Sequence, residues 1–217
     1  MSRAIITLDG MGQAPPGDVR TRVVDAAEEC FQRFGVAKTT IEDIASGAGL
    51  SRATIYRAFE GGRDEIILAV ILREATRFLD RLRKRLDPQQ GLPTAAIEGV
   101  LFTLRTVREN PTLALLFAPE VAGHTGAVAG ASQALFDLVR EFLRPLLEQA
   151  RTAGELRPEI ELDEAGEFLE RIVISLLTVP PPVERSDDDV RRFLELFVLP
   201  ALMPDTARVG ITARALG

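Results

Sequence analysis

The chain has few of the side chains that build catalytic or metal sites. Its 217 residues include one cysteine, one histidine, one tyrosine and no tryptophan. A single cysteine, Cys30, cannot form an internal disulfide, and together with His124 alone it cannot supply a Cys/His metal cluster. A Ser-His-Asp arrangement would have to use His124, which stands in a segment rich in Gly and Ala. We therefore expect no enzyme, no metal and no cofactor, and we interpret Cys30 as a buried core thiol.

Long hydrophobic runs are also missing. The apolar stretch at residues 172–179 is far shorter than the roughly 20 residues of a membrane-spanning helix, and residues 1–17 lack the apolar core of a secretory signal. The composition, with 46% hydrophobic and 27% charged residues, is that of a soluble globular protein of one or two domains. We expect a cytoplasmic protein with no membrane partner.

The most informative motif that is present lies at residues 40–59. The sequence predicts two short helices joined by a Gly-Leu-Ser turn. Thr40 can cap the first helix with Asp43, Gly49 suits the left-handed position that ends it, and Ser51 can cap the second. Such a pair can hold one helix across the DNA backbone and place the other in the major groove. The predicted partner is double-stranded DNA.

The net charge of −6 opposes this prediction, because phosphate neutralisation needs Lys and Arg. Its distribution weakens the objection, since residues 1–87 carry a net charge of +1 and residues 88–217 carry −7. The basic residues expected to face DNA are Arg20, Arg22, Lys38, Arg52, Arg57 and Arg63. The acidic residues expected to face away from it are Asp25, Glu28, Glu29, Glu42 and Asp43.

Hydrophobic periodicity predicts an all-α fold, with no strand-like alternation beyond a few residues. The predicted helices, about nine in total, cover residues 18–34, the two motif helices, 63–86, 94–109, 112–118, about 123–153 with a possible kink at Pro145, 163–179 and 187–203. We predict a flexible arm at 1–17, a helix-turn-helix DNA-binding domain of three helices at 18–63, a larger C-terminal regulatory and dimerisation domain at 64–203, and a flexible tail at 204–217.

The last two predicted helices are apolar on more than one face, as at residues 172–177 and 193–199. Such helices have neighbours on two sides, which can be a second copy of the chain or another helix of the same chain. Periodicity favours neither alternative. The DNA motif favours a homodimer, because one reading helix covers few base pairs. The predicted interface residues are Ile172, Leu176, Phe193 and Phe197.

Residues 20–70 resemble the TetR family of bacterial regulators. The matching positions are Val24-Asp25-Ala26-Ala27, Phe31, Phe34-Gly35, Thr39-Thr40-Ile41, Asp43-Ile44-Ala45, Ala48-Gly49-Leu50-Ser51 and Thr54-Ile55-Tyr56-Arg57-Ala58-Phe59. The turn at residues 154–158 is a weaker match. The resemblance implies a DNA-binding domain of three helices, a larger helical ligand-binding and dimerisation domain, and usually repression that a small molecule relieves.

One position departs from the family pattern. The family typically has a lysine three residues after the aromatic position of Phe59, where this chain has Gly62, and Arg63 with Ile66 keeps the spacing one residue later. An insertion in the turn is the simplest explanation. Arg63 would then take over a phosphate contact at the start of the long helix.

On the second motif helix Arg52 is predicted to read bases, because a guanidinium can bind guanine O6 and N7 together. Ala53 can pack on a thymine methyl group. The residues predicted to hold phosphates are Thr40, Thr54, Tyr56, Arg57 and Arg63, and Ser51 completes the predicted DNA-binding set.

The resemblance also implies a ligand pocket, whose position in the family suggests a set of residues. They are Phe78, Phe102, Leu113, Leu116, Phe117, Phe136, Leu138 and Phe168, with Arg105 or His124 to orient a polar group. The scarcity of Trp and Tyr favours an aliphatic or acyl-like ligand over a large planar one. Glu167 and Glu170 are interpreted as a solvated helix face.

We therefore predict a repressor that binds a palindromic operator as a dimer and is released by a small, apolar molecule. Within regulators, an activator or a ligand-blind DNA-binding protein remains an alternative. The alternative from another class is a helical ligand-binding or enzymatic bundle in which the motif is only structural.

Overall fold

The computed structural model describes residues 16–86, 90–114, 127–179, 183 and 185–205. Every regular element among them is a helix, which confirms the all-α prediction. The helices are α1 (Pro16–Phe34), α2 (Ile41–Ala48), α3 (Arg52–Ala58), α4 (Gly62–Arg85), α5 (Gly91–Glu109), α6 (Pro111–Ala114), α7 (Ala127–Thr152), α8 (Leu162–Thr178) and α9, which begins as Asp187–Phe193, continues as the π-helical stretch Leu194–Val198 and ends as Leu199–Leu202.

The chain divides into two compact units, Met1–Val70 and Ile71–Gly217, so that the single helix α4 belongs to both. The division falls inside α4 because its first turns bury Ile66 and Val70 in the core of the first unit. The two units are described separately below.

The first unit is organised by caps that the sequence indicates. The Thr40 hydroxyl accepts the Asp43 N–H at 3.2 Å, and the Asp43 carboxylate accepts the Thr40 N–H at 2.9 Å. Gly49 ends α2 at φ +62°, in the left-handed region that favours glycine, and Ser51 Oγ accepts the Thr54 N–H at 3.1 Å. These predicted caps are present, and they fix where α2 ends and α3 begins.

Cys30 lies in the core of this first unit. Its side chain is buried, and burial, followed in importance by the Asp43 carboxylate, raises the pKa of the thiol. Gly47 on α2 faces the same part of α1, where an added Cβ would lie 3.3 Å from Ala26 Cβ. Cys30 is therefore a packing residue where α1 and α2 come together, as expected.

The second unit has an apolar core to which α5, α7, α8 and α9 each contribute. Its most buried members include Leu101, Leu147, Ala165, Leu194 and Leu199. Packing of this kind supplies most of the stability of helices, since the hydrophobic effect scales with the apolar area that is removed from water.

A buried polar network stands beside this core. Glu74 on α4 is almost fully buried, and its carboxylate accepts hydrogen bonds from Arg77 Nη1 at 2.7 Å and Asn110 Nδ2 at 3.3 Å. The Asn110 Oδ1 in turn accepts the backbone N–H groups of Thr112 and Leu113. The network ties the corner between α5 and α6 to α4.

Helix α9 departs from the regular α-helix that its sequence predicts. The stretch Leu194–Val198 is π-helical, and the N–H of Leu199 bonds to the Leu194 carbonyl, five residues back. The cause is Pro200, which has no N–H and whose ring clashes with the carbonyl four residues earlier in an α-helix. The wider turn before Pro200 accommodates that ring.

Candidate DNA interface and ligand cavity

Helix α3 presents one face inward and the other to solvent. Ile55 is fully buried, and Phe59, which follows the helix, is buried with it. Arg52, Ala53 and Arg57 are exposed, and Tyr56 keeps 52% of its surface exposed. The seven-residue helix is therefore fixed by two apolar anchors, and its polar side is free to approach a groove.

Arg52 forms an ion pair with Glu42 on α2. The backbone N–H of Glu42 and the Arg52 guanidinium lower the pKa of the Glu42 carboxyl, so that it is ionised at neutral pH. Glu42 was expected to face away from DNA, but the structure places its carboxylate beside the predicted base-reading side chain. The pair restrains Arg52 at the exposed start of α3.

Three further predicted DNA-binding residues, which are Thr54 and Arg57 on α3 and the cap Ser51 before it, lie next to one another. Thr54 Oγ1 is 2.9 Å from Ser51 Oγ, and Arg57 Nη2 donates to Thr54 Oγ1 at 3.4 Å. Thr40, at the start of α2, is exposed and is bonded to Asp43. The hydroxyl groups of Ser51 and Thr40 therefore serve as helix caps in addition to any contact with DNA.

Three of the arginines expected to face DNA have a structural role. Arg22 Nη2 donates to the carbonyl of Ala48, the last residue of α2, at 2.7 Å. Arg20 Nη1 donates to the carbonyl of Ala58, the last residue of α3, while its guanidinium lies 4.0 Å from the Phe59 ring centroid. Both arginines satisfy carbonyls that a helix end leaves without an intrahelical donor.

Arg63 is the third of these arginines. Its Nε donates to Thr39 O at 3.0 Å, and its Nη2 donates to Val36 O, so its side chain holds the loop between α1 and α2. A guanidinium has five N–H donors, so donors remain for a phosphate, and that contact stays a prediction. The structural role is one that the sequence did not indicate.

Gly62, where the chain departs from the family pattern, is packed against Tyr56. It has φ +62°, and an added Cβ would lie 3.4 Å from Tyr56 Cε1. A side chain at this position would therefore be strained by the backbone, while its Cβ would be in van der Waals contact with the ring. The glycine lets the turn pass close beneath the Tyr56 ring.

The second unit contains a partly open apolar cavity of about 160 Å³. Its walls come from α4, α5, α6, α7 and α8. Among the lining residues that the structure describes, all are apolar or glycine except Thr103 and Glu170. Gly99 on α5 is part of the wall, and an added Cβ there would meet no atom within 4 Å. A dry cavity of about this volume, roughly 150 Å³, is enough to hold a benzene ring.

The predicted pocket residues are placed in several different environments. Phe78 and Leu113 line the cavity, and the Phe102 ring stacks on the Phe78 ring with centroids 5.8 Å apart. Phe136 lines a neighbouring polar cleft, and Phe168 packs against the core. Arg105 is exposed at the surface, 3.7 Å from the Asp187 carboxylate. Leu116, Phe117 and His124 lie outside the described residues.

Glu170 is the site residue that the sequence analysis missed. It was interpreted with Glu167 as a solvated helix face, but only Glu167 is exposed. Glu170 lines the apolar cavity, and burial raises its pKa to about 7, with the Arg140 guanidinium opposing that shift. No local sequence signal distinguishes the two carboxylates. Residues three apart lie on the same side of a helix, and both line the polar cleft, but only Glu170 also reaches the apolar cavity.

The comparisons with known proteins agree with this architecture. Residues 23–70 match the family described as bacterial regulatory proteins, tetR family. Over 190 residues the chain is 31% identical to an uncharacterised HTH-type transcriptional regulator of Mycobacterium tuberculosis, covering 86% of both chains. The chain belongs to the TetR family.

Solved structures show the same fold in other TetR-family proteins. A complex of SmeT with triclosan is 26% identical, covers 87% of this chain and 93% of SmeT, and superposes with a TM-score of 0.57. A complex of RolR with resorcinol is 19% identical, covers 92% of this chain and 94% of RolR, and gives a TM-score of 0.67. Within the described residues of this TetR-family chain, no helix combines the length and apolar character needed to cross a bilayer.

The residues predicted for a TetR-type dimer interface lie on α8 and α9. Ile172, Leu176 and Phe193 are half-buried and pack against the core of their own chain. Phe197 is 66% exposed and its ring centroid lies 5.6 Å from that of Phe193. Each chain therefore keeps an apolar surface on these helices that its own described core does not cover.

Proposed function

We propose that this TetR-family protein is a repressor that binds a palindromic operator as a homodimer and releases it when a small, largely apolar molecule enters the cavity of the second unit. The observation that carries the proposal is the exposed polar face of α3, which a buried Ile55 and Phe59 hold outward. Its site of action would be the bacterial cytoplasm.

In this proposal Arg52 reads guanine through a bidentate hydrogen bond, and Ala53 packs on a thymine methyl group. In the free protein the ion pair with Glu42 orients the Arg52 guanidinium. When DNA binds, Arg52 leaves Glu42 and bonds to the base edge. Thr40, Ser51, Thr54, Tyr56 and Arg57 contact the backbone and set the register, with Arg63 reaching a phosphate from the loop that it holds.

The half-buried and exposed apolar residues of α8 and α9 support the dimer. Two copies of this surface can form an isologous four-helix interface, which would bring two reading helices to two half-sites. The ligand must prefer a conformer that no longer fits the half-site spacing, and a coupling of about 1 to 3 kcal/mol is typical of such regulation. Because α4 is continuous between the two units, it is the element through which we expect the coupling to pass.

The apolar cavity supports a small ligand with a compact apolar body. Its volume and its lining of Phe78, Leu113 and similar side chains suit a single ring or a short chain. The complex of SmeT with triclosan supports a small-molecule ligand for this protein as well.

The test begins with selection of duplexes from a random pool by the purified protein, which should enrich an inverted repeat. Arg52→Ala should then reduce affinity for the selected duplex much more than for a scrambled duplex at the same salt concentration. Arg108→Ala, which removes an exposed arginine on α5, is the matched control and should leave both affinities unchanged. Equal losses on both duplexes for Arg52→Ala would rule out base reading.

A further inference from the structure

Glu170 stands between two cavities of the second unit. It lines the apolar cavity of about 160 Å³, and it also lines a polar cleft between α7 and α8 that includes Arg140, Asp163, Glu167 and Arg171. Among the described residues of the apolar lining, it is the one with a titratable side chain. An ionised group in such a wall loses hydration, and this loss costs free energy unless a bonded partner replaces the water.

The guanidinium groups near Glu170 are already bonded to other carboxylates. Arg171 Nε and Nη2 donate to Glu167 at 2.8 and 2.5 Å, and Arg140 Nη1 lies 3.3 Å from the Asp137 carboxylate. In the part of the chain that the structure describes, no hydrogen bond or ion pair within bonding distance involves Glu170. The two arginines act on it only at longer range, where they oppose the effect of its burial.

The two polar side chains of the cavity wall both offer hydrogen-bond acceptors. Thr103 uses its hydroxyl hydrogen on the Gly99 carbonyl at 2.7 Å, so toward a ligand it has only lone pairs. An ionised Glu170 has no hydrogen to donate. The complementary ligand therefore carries donors rather than acceptors.

The local charge selects a cationic donor over a neutral one. The cleft beside Glu170 contains two arginines against the three carboxylates of Asp163, Glu167 and Glu170, and Asp163 is itself bonded to Arg144 at 2.7 Å. Among the described carboxylates of this cleft, Glu170 is thus the one without a bonded arginine, and it can accept the positive charge of a ligand. A hydrogen bond between an ammonium and a carboxylate is stronger than one from a neutral hydroxyl.

We propose that the cavity binds a small amine, with a compact apolar body among the side chains of α4, α5 and α7 and its ammonium group on the Glu170 carboxylate. This inference rests on the proposed function, because it names the ligand class of the same cavity. It specifies a cationic head on a body of about the size of one aromatic ring.

Calorimetry on the full-length protein without DNA tests the inference. The probes are 2-phenylethylamine and its neutral counterpart 2-phenylethanol, which share the same apolar body. At pH 8 the wild-type protein should bind the amine at least tenfold more tightly than the alcohol. Glu170→Gln should weaken amine binding by about that factor and so remove the preference over the alcohol. Glu148→Gln, which makes the same change at an exposed residue of α7 that lines neither cavity, should keep it.

A pH series on the wild-type protein needs no substitution. Because the pKa of Glu170 is about 7, its ionised fraction rises about tenfold between pH 6 and pH 8, and amine affinity should rise with it. The charged groups facing Glu170 are Arg140 on α7 and Glu167 and Arg171 on α8. Alcohol affinity should change much less, because a neutral hydroxyl gains less than an ammonium from an ionised acceptor.

Several results would overturn the amine assignment. They are equal affinity for amine and alcohol, tighter binding of the anion 3-phenylpropanoate, or amine binding that Glu170→Gln leaves intact. Adding the amine to the protein bound to its selected duplex separates this inference from the proposed function. Amine binding that depends on Glu170 but does not release DNA would keep the ligand assignment and contradict induction.

Discussion

Replacing Arg63 by methionine tests whether this arginine stabilises the first unit. Methionine keeps an unbranched stem but removes the hydrogen bonds to Thr39 O and Val36 O. Val36 O retains the Thr39 N–H as a donor at 3.3 Å, whereas Thr39 O is left without the Arg63 donor. A partly buried carbonyl that loses a charged donor costs roughly 1 to 3 kcal/mol, so we expect a loss of about 2 kcal/mol.

The loss should be visible in thermal denaturation followed by circular dichroism. For a chain of this size 1 kcal/mol shifts the melting temperature by about 2 to 4 °C, so Arg63→Met should melt about 4 to 8 °C below the wild type. Hydrogen exchange should locate the change in the loop between α1 and α2.

Arg57→Met is the matched control, because Arg57 is exposed and, among the residues that the structure describes, its side chain bonds only to Thr54 Oγ1, at 3.4 Å. It should melt within about 1 or 2 °C of the wild type while the slope of log affinity against log salt falls by about one. The structural role would be refuted if Arg63→Met melted at the wild-type temperature while its slope of log affinity against log salt fell by about one. Phosphate binding would then remain as the function of Arg63.

Four other substitutions test the remaining conclusions. The pKa of Glu170 in the folded protein lies above that of an ordinary glutamate, so the free energy of unfolding of the wild type should fall as the pH rises from about 5 to 8. The expected fall is about 1 to 2 kcal/mol after allowance for the partial exposure of Glu170. Thermal melts across that pH range should show that Glu170→Gln abolishes this contribution. Gly99→Ala should stabilise α5 by about 0.5 to 1 kcal/mol, and its added methyl group should weaken the binding of a ligand in the apolar cavity. Tighter binding of that ligand would contradict the position of the cavity. Phe197→Glu should shift sedimentation from dimer toward monomer, and an unchanged dimer would place the interface elsewhere. Tyr56→Phe should weaken binding to selected and scrambled duplexes alike, and a selective loss would make Tyr56 a base-reading residue.

Features that depend on neighbours in the sequence could be predicted in detail. The capping pair Thr40 and Asp43, the left-handed Gly49 and the Ser51 cap are each set by residues within a few positions. The same holds for Ile55 on the inner side of α3. In these cases backbone geometry and a short side chain decide the structure, and both can be read from the chain.

Contacts between distant residues could not be predicted. Arg20 and Arg22 lie on the same helix as the exposed charges around them, and nothing in their spacing indicates that they reach the ends of α3 and α2. Glu170 has the same chemistry as Glu167, and only the packing of α8 against α7 separates a solvated carboxylate from one that faces a cavity. The π-helical stretch before Pro200 was also missed, although the proline itself signals a disturbed helix.

The carboxylates of the two units respond differently to acidity. In the first unit, hydrogen bonds lower the pKa values of the Glu42 and Asp43 carboxyls below their usual range. In the second unit, burial raises the pKa of Glu170 to about 7. Under the proposed function, a shift of one pH unit near neutrality would therefore change the charge at the ligand cavity and leave Glu42 and Asp43, beside the DNA-binding helices, ionised.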